Sequence, residues 1–193
     1  MKKKLSLFIR SILSLVHILV AKIFCRRLHT AFAQDFSCST KISVNIGGSA
    51  YLKKHIHTKR NVIIEADGGT IEIGEGCFFN NGCMIVAKEH ISIGSYTAFG
   101  PNVFVYDHDH DIHAGKVIHD SGFVTAPVII GKNVWVGANT VILRGTVIGD
   151  GCIIGAGSVI KGTYPPNTLV IQKKSEERRQ LNTAERKDVR SIG

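Results

Sequence analysis

From residue 130 onward the chain repeats itself every six residues, and this period restricts the possible folds more than any other feature. The stretch reads IGKNVW-VGANTV-ILRGTV-IGDGCI-IGAGSV-I, with aliphatic side chains at Ile130, Val136, Ile142, Ile148, Ile154 and Ile160. The next position is Gly131, Gly137, Gly149 or Gly155 in four of five units and Leu143 in the other. Four positions after each aliphatic stands a smaller residue: Val134, Thr140, Thr146, Cys152 or Ser158. Neither the 3.6-residue period of a helix nor the alternation of a strand produces this pattern. A triangular coil does. Each hexad supplies one short strand and a corner, and three hexads close a turn of about eighteen residues. The aliphatics point inward and stack on their equivalents, so each coil buries the face of the next.

The same spacing recurs upstream at Ile73, Phe79 and Ile85, and again at Ile93, Phe99 and Val105. An earlier, weaker coil is expected through Ile42, Val44, Ile46 and Val62 to Ile64. Twenty glycines against four prolines fit many tight backbone turns. Five cysteines form an odd set without ligand-like pairing, and Cys77 and Cys152 fall on the small-residue position of the repeat. They read as reduced structural residues of a cytosolic protein.

The formal charge of +9 raises nucleic-acid binding as a first thought. The cations, however, crowd the two ends, at Lys2–Lys4, Arg10, Lys22, Arg26 and Arg27, and then at Lys173, Lys174, Arg178, Arg179, Arg186, Lys187 and Arg190. The middle is close to neutral and lacks aromatic-basic interleaving. This distribution argues against nucleic acid and favours an anionic membrane surface or a phosphate-bearing cofactor.

Between Val105 and Ile130 the repeat breaks, and the insert 106–127 collects His108, His110, His113 and His119 with Asp107, Asp109, Asp111 and Asp120. A loop leaving a rigid solenoid is where function is expected. One histidine can serve as a general base whose ring an aspartate orients. The H-x-H and H-x-x-H spacings also allow a metal site, and a solvated polar loop is the bland alternative.

These features resemble the hexapeptide-repeat acyltransferases, whose fold is the left-handed parallel β-helix. Asn80 through His110, APVIIGKNVWVGANTVIL and IGAGSVI resemble more closely the sugar O-acetyltransferases of the maltose and galactoside acetyltransferase type. The resemblance implies acetyl-CoA as co-substrate, a saccharide as acceptor and no required metal. Counted without gaps from Ile93-Gly94, the family's catalytic histidine falls on His110, with His108 as second candidate, and its acceptor-binding asparagine falls on Asn80. Asp109 and Trp135 are placed with the acceptor; Trp135 as a corner packing residue is the alternative. The CoA contacts correspond to Ala138, Ala156, Lys161 and Gly162. After PPNT the family continues with a Gly-x-Pro-Ala-Lys/Arg stretch that this chain lacks, so Lys173 and Arg179 are only general candidates for the nucleotide end. Neither Cys77 nor Cys83 suits a nucleophile, because both repeat positions predict burial. The exposed long side of the coil, with a loop too short to enclose a cofactor alone, predicts a homotrimer with sites at its subunit interfaces.

Residues 1–34 form a separate amphipathic helical segment in this reading, 35–170 the β-helix, and 171–193 a short helical tail. At helical spacing Lys3, Ser6, Arg10, Ser14 and His17 share one face, while Leu5, Phe8, Ile12, Leu15, Leu19 and Ile23 occupy the rest. The apolar run from Ser11 to Ala21 is too short to span a bilayer. An interfacial membrane anchor is expected through residues 1–27, with an end cap on the coil and a signal peptide as alternatives. The chain is thus expected to be cytoplasmic, at the inner face of the cytoplasmic membrane. The expected activity is saccharide O-acetylation. N-acetylation of an amino sugar, antibiotic acetylation and a non-enzymatic trimeric scaffold are the rivals.

Overall fold

The computed structural model describes residues 12–16, 18–23, 25, 27–31, 33–112 and 117–173. The expectations attached to His113, Lys174, Arg179 and the remainder of the tail lie outside these residues, as do those for Lys2–Lys4, Arg10, His17 and Arg26.

The chain enters through helix α1, helical at 12–16 and 18–23, and strand β1 (Leu28–Thr30). Six coils follow. The first holds β2 (Lys41–Val44), β3 (Ser49–Leu52) and β4 (His57–Thr58), and the second β5 (Ile63–Ala66), β6 (Thr70–Ile73) and β7 (Phe78–Phe79). The third holds β8 (Met84–Ala87), β9 (His90–Ile93) and β10 (Ala98–Phe99). The fourth begins with β11 (Phe104–Tyr106), is interrupted by β12 (His108–His110) and β13 (Phe123–Thr125), and resumes with β14 (Val128–Ile130) and β15 (Trp135–Val136). The fifth holds β16 (Val141–Ile142), β17 (Val147–Ile148) and β18 (Ile153–Ile154), and the sixth β19 (Val159–Ile160), β20 (Thr163–Tyr164) and β21 (Leu169–Val170).

Equivalent strands of successive coils pair in parallel and make three flat faces. Face one is β2-β5-β8-β11-β16-β19, face two β1-β3-β6-β9-β14-β17-β20, and face three β4-β7-β10-β15-β18-β21. The result is a left-handed parallel β-helix. The aliphatics picked out by the period line its axis: Ile73, Ile85, Ile93, Val105, Ile130, Val136, Ile142, Ile148, Ile154 and Ile160 are each buried. Phe79 and Phe99 stack directly, centroids 4.8 Å apart and nearly parallel. Each such side chain withdrawn from water contributes roughly 2 kcal/mol of transfer free energy. The small-residue column is buried as well, with Thr140, Thr146, Cys152 and Ser158 turned inside. Its hydroxyls and thiol donate to corner carbonyls, as Ser158 Oγ does to Gly155 O at 2.7 Å and Cys152 Sγ to Pro165 O at 3.0 Å.

Ile46 lies in the first coil, as expected, but outside its core and fully exposed. It sits in the turn that Gly47 closes at φ 87°, and Ala50, Leu52 and Ile56 fill the first coil's interior instead.

A solenoid must close its ends. At the far end Gln172 does so, its Oε1 accepting from Val159 N at 2.9 Å and its Nε2 donating to Val159 O at 2.6 Å, which covers the open edge of β19. At the near end α1 packs against the first coil. Ile18 and Phe36 are both fully buried there. Ser14, placed on the polar face of the helical wheel, turns inward: its Oγ donates to Gln34 O at 3.0 Å and accepts from Phe36 N at 3.0 Å. The wheel misassigned that face because a short hydroxyl can satisfy the exposed backbone of a coil end.

Candidate active site

The insert is a hairpin. β12 and β13 pair antiparallel, with His108 opposite Thr125, Asp109 opposite Val124 and His110 opposite Phe123. Its root is Asp107, whose side chain is completely buried. The carboxylate accepts from Lys88 N at 2.9 Å and Glu89 N at 2.7 Å, which ties the hairpin to the coil before it. A carboxylate can only accept, so His108 Nδ1–H donates to Asp107 Oδ1 across 3.0 Å and the Nε2 side stays unprotonated in the neutral ring. The His108 side chain is 13% exposed, edge-on to Tyr106 at 5.8 Å and to Phe123 at 5.3 Å between centroids.

His110 is exposed and lies tilted over Phe123, centroids 4.7 Å apart. Lys88 Nζ stands 3.9 Å from the same ring's centroid. That ammonium also meets Asp67 Oδ2 at 2.5 Å, and the Lys88 hydrogen bond, with that from Asn45, holds the Asp67 carboxyl below the usual range. Lower down, Arg144 Nε donates to Asp109 Oδ2 at 2.6 Å. Asp109, assigned to the acceptor from sequence, therefore already braces the hairpin against the fifth coil.

Lys88, Phe123 and Arg144 were not singled out from sequence. The run Asp107-His108-Asp109-His110 was visible, but which carboxylate turns inward depends on where the strand leaves the coil.

The predicted site residues fall into two groups on different corners. Asn80, Ala138, Ala156 and Lys173 follow the face-three strands β7, β15, β18 and β21, and therefore stack along the corner joining face three to face one. Trp135 stands beside them on face three, 58% exposed, paired in register with Ala98 and Ile153. Backbones are so close along this corner that a Cβ on Gly137 would lie 2.5 Å from Ala156 N. Beside Gly137 and Gly155 the side chains are only methyl groups, half-buried on Ala138 and exposed on Ala156, leaving a low track. A narrow extended amide chain fits such a surface. His108, Asp109 and His110 leave after β11, and Lys161 and Gly162 follow β19, all on the corner joining face one to face two. The width of face one, roughly 15 Å for five residues of strand, separates the groups within one chain.

Cys77 and Cys83 are buried, donating through sulfur to Gly94 O at 3.2 Å and Gly100 O at 3.1 Å. Burial pushes the Cys77 thiol up to about 11 and raises that of Cys83, so neither is a ready nucleophile. Among the described residues no three His, Cys, Asp or Glu side chains gather as metal ligands.

The six-residue period and the coil have counterparts among known proteins. Residues 127–162 match the family described as bacterial transferase hexapeptide (six repeats). Individual proteins extend the likeness. Nodulation protein L of Rhizobium meliloti (strain 1021) is 37% identical over 70 residues, which is 36% of this chain and 37% of that protein. The chain thus matches little more than a third of that curated relative's length. A maltose O-acetyltransferase from Clostridium difficile 630 is 28% identical, with a TM-score of 0.52 over 79% of this chain and 72% of that one. The fold extends to a mutant of AntD, an N-acyltransferase from Bacillus cereus solved with dTDP-4-amino-4,6-dideoxyglucose and coenzyme A. There the TM-score is 0.66 at 18% identity, over 91% of this chain and 95% of that one.

Proposed function

We propose that this hexapeptide chain is an acetyltransferase that moves acetyl from acetyl-CoA to a hydroxyl of a saccharide, a surface polysaccharide or lipid-linked glycan unit. The observation that carries the reading is His110: exposed, on a hairpin fixed at its root by Asp107 and braced by Arg144, on a coil whose sequence resembles a sugar O-acetyltransferase.

A sugar hydroxyl is too weak an acid to ionise at neutral pH, so it needs a base as it attacks. In this reading His110 takes that proton while the hydroxyl oxygen bonds to the thioester carbonyl. The resulting imidazolium returns the proton to the departing sulfur, which balances the transfer without an acyl-enzyme. Exposure favours His110, since a bulky acceptor must reach the ring. One observation favours His108 instead: it has a carboxylate orienting its Nδ1. On its exposure His110 is taken as the base, and His108, held by Asp107, as the residue that positions the strand carrying it.

The donor's pantetheine would run along the corner of Ala138 and Ala156 beside Trp135, with Lys161, Gly162 and Lys173 toward its outer part and Asn80 toward the acceptor. Since Asn80, Ala138, Ala156 and Lys173 lie along one edge of face one, and His110, Lys161 and Gly162 along the other, a complete site needs the corner of one subunit against the hairpin of another. That split supports a homotrimer with shared sites.

The test is acetyl transfer from acetyl-CoA across a panel of glycans, with the acetylated position read by NMR. Products acetylated on nitrogen alone would move the activity to amino sugars. No thioester cleavage with any acceptor would leave a scaffold.

A further inference from the structure

Helix α1 has no polar residue on its outward arc among the described positions. Ser14, Ile18 and Ala21 turn toward the coil, while Ile12, Leu15, Val16, Leu19, Val20 and Ile23 point away from it and are 39 to 73% exposed. A helix apolar on both sides is expected to be covered on both. The outer face continues into a groove of about 480 Å³ between α1 and β2, lined by Leu13, Val16, Val20, Cys25, Cys38 and Ile42. Charge identifies the cover. Residues 1–34 contain Lys2, Lys3, Lys4, Arg10, Lys22, Arg26 and Arg27 and no Asp or Glu at all. A second copy would meet this segment with a segment of the same positive charge. An anionic lipid surface brings the opposite sign and takes the apolar arc as well.

We infer that α1 is both the end cap of the coil and its membrane contact, docking the near end of the solenoid on an anionic bilayer. Its buried side holds the helix to the coil, so the attachment is rigid rather than a tethered peptide. No described helix is long and apolar enough to cross a membrane, which makes the contact interfacial. The rigid mount also fixes a height. β2, β5, β8 and β11 are successive rungs of face one. At about 4.8 Å per rung the hairpin leaves the coil roughly 14 Å beyond β2. The helix adds about 10 Å. On the transferase reading above, the acetylated hydroxyl is then held roughly 25 Å from the contact face, several sugar units out along a lipid-linked glycan, not beside its headgroup.

The experiment is flotation of the full chain with phosphatidylglycerol–phosphatidylcholine vesicles, compared with phosphatidylcholine alone. Flotation should need the anionic lipid and weaken as salt rises. The combined change Leu15→Gln, Leu19→Gln and Ile23→Gln should reduce binding by roughly tenfold or more. These side chains face outward, so the melting temperature should hold, and transfer to a soluble acceptor should not change. Vesicle binding should also survive His110→Ala, which separates this inference from the transferase reading. Equal flotation of the triple variant overturns the inference, as does indifference to lipid charge. A triple variant whose mass falls in light scattering, from a parent that never floats, overturns it in favour of a second copy.

Discussion

The buried Asp107 carboxylate receives His108 Nδ1 at 3.0 Å while backbone amides of the preceding coil hold it from the other side. Sequence neighbours in a strand normally face opposite ways. Here the strand turns off the coil between them, so Asp107 completes the coil's corner and His108 begins the hairpin. Asp107→Ala would leave two amides and one imidazole without their acceptor. It should lower stability by about 2–4 kcal/mol, measured by denaturant unfolding. Asp107→Asn, which keeps an acceptor oxygen, should cost less.

For the histidines the expectation is a split. His110→Ala should lower turnover by roughly a hundredfold or more and leave CoA binding nearly intact, the scale of a lost general base. His108→Ala should cost less turnover and more stability, since it strips a partner from Asp107. Steady-state kinetics with CoA titration decides between them, and a larger turnover loss at His108 would make His108 the base.

Sites shared between subunits predict complementation. His110→Ala and Trp135→Ala homotrimers should each be weak. Subunits of both kinds, unfolded together and reassembled, should recover about a quarter of parental activity, because random pairing leaves one interface in four intact. Recovery of nothing would place hairpin and corner of one chain in one site, and a monomer mass with full activity would dispose of the trimer.

Asn80 stands on the corner opposite the hairpin and should act on the acceptor. Asn80→Ala is expected to raise the KM for the saccharide and leave that for acetyl-CoA nearly unchanged. An effect confined to acetyl-CoA would remove it from the acceptor site.

The buried thiols give a pH dependence with a definite sign. Cys77 is held protonated, its pKa pushed up to about 11 by burial, against about 8.5 for a free thiol. The folded state therefore binds the proton more tightly than the unfolded chain. The stabilisation is complete below pH ~8.5 and is lost as pH rises toward about 11, at up to ~1.4 kcal/mol per unit for the one thiol. Melting curves across that range should steepen their decline for the parent and flatten for Cys77→Ala. At pH 8, among Cys77, Cys83 and Cys38, only the exposed Cys38 should react readily with iodoacetamide.

What the six-residue period determined by itself is the coil, and the reason is local. A residue's place in its hexad decides whether it points inward, so Ile130 through Ile160 could be placed without knowing what touches them. Family register only nominated His110 and Asn80 for the proposed site, whereas the apolar stripe of α1 was legible through helical spacing. Tertiary structure decided everything that joins one coil to another. Asp107 became the root of the hairpin through amides about twenty positions earlier, at Lys88 and Glu89. Arg144 found Asp109 across 35 positions. Ile46 fell outside the core because a turn at Gly47 carried it outward, and Ser14 turned inward because the coil end offered backbone partners. The division of the site between two corners is of the same kind. It follows from which strand precedes each residue in a stack of rungs, a relation that exists only once the chain has wound back over itself.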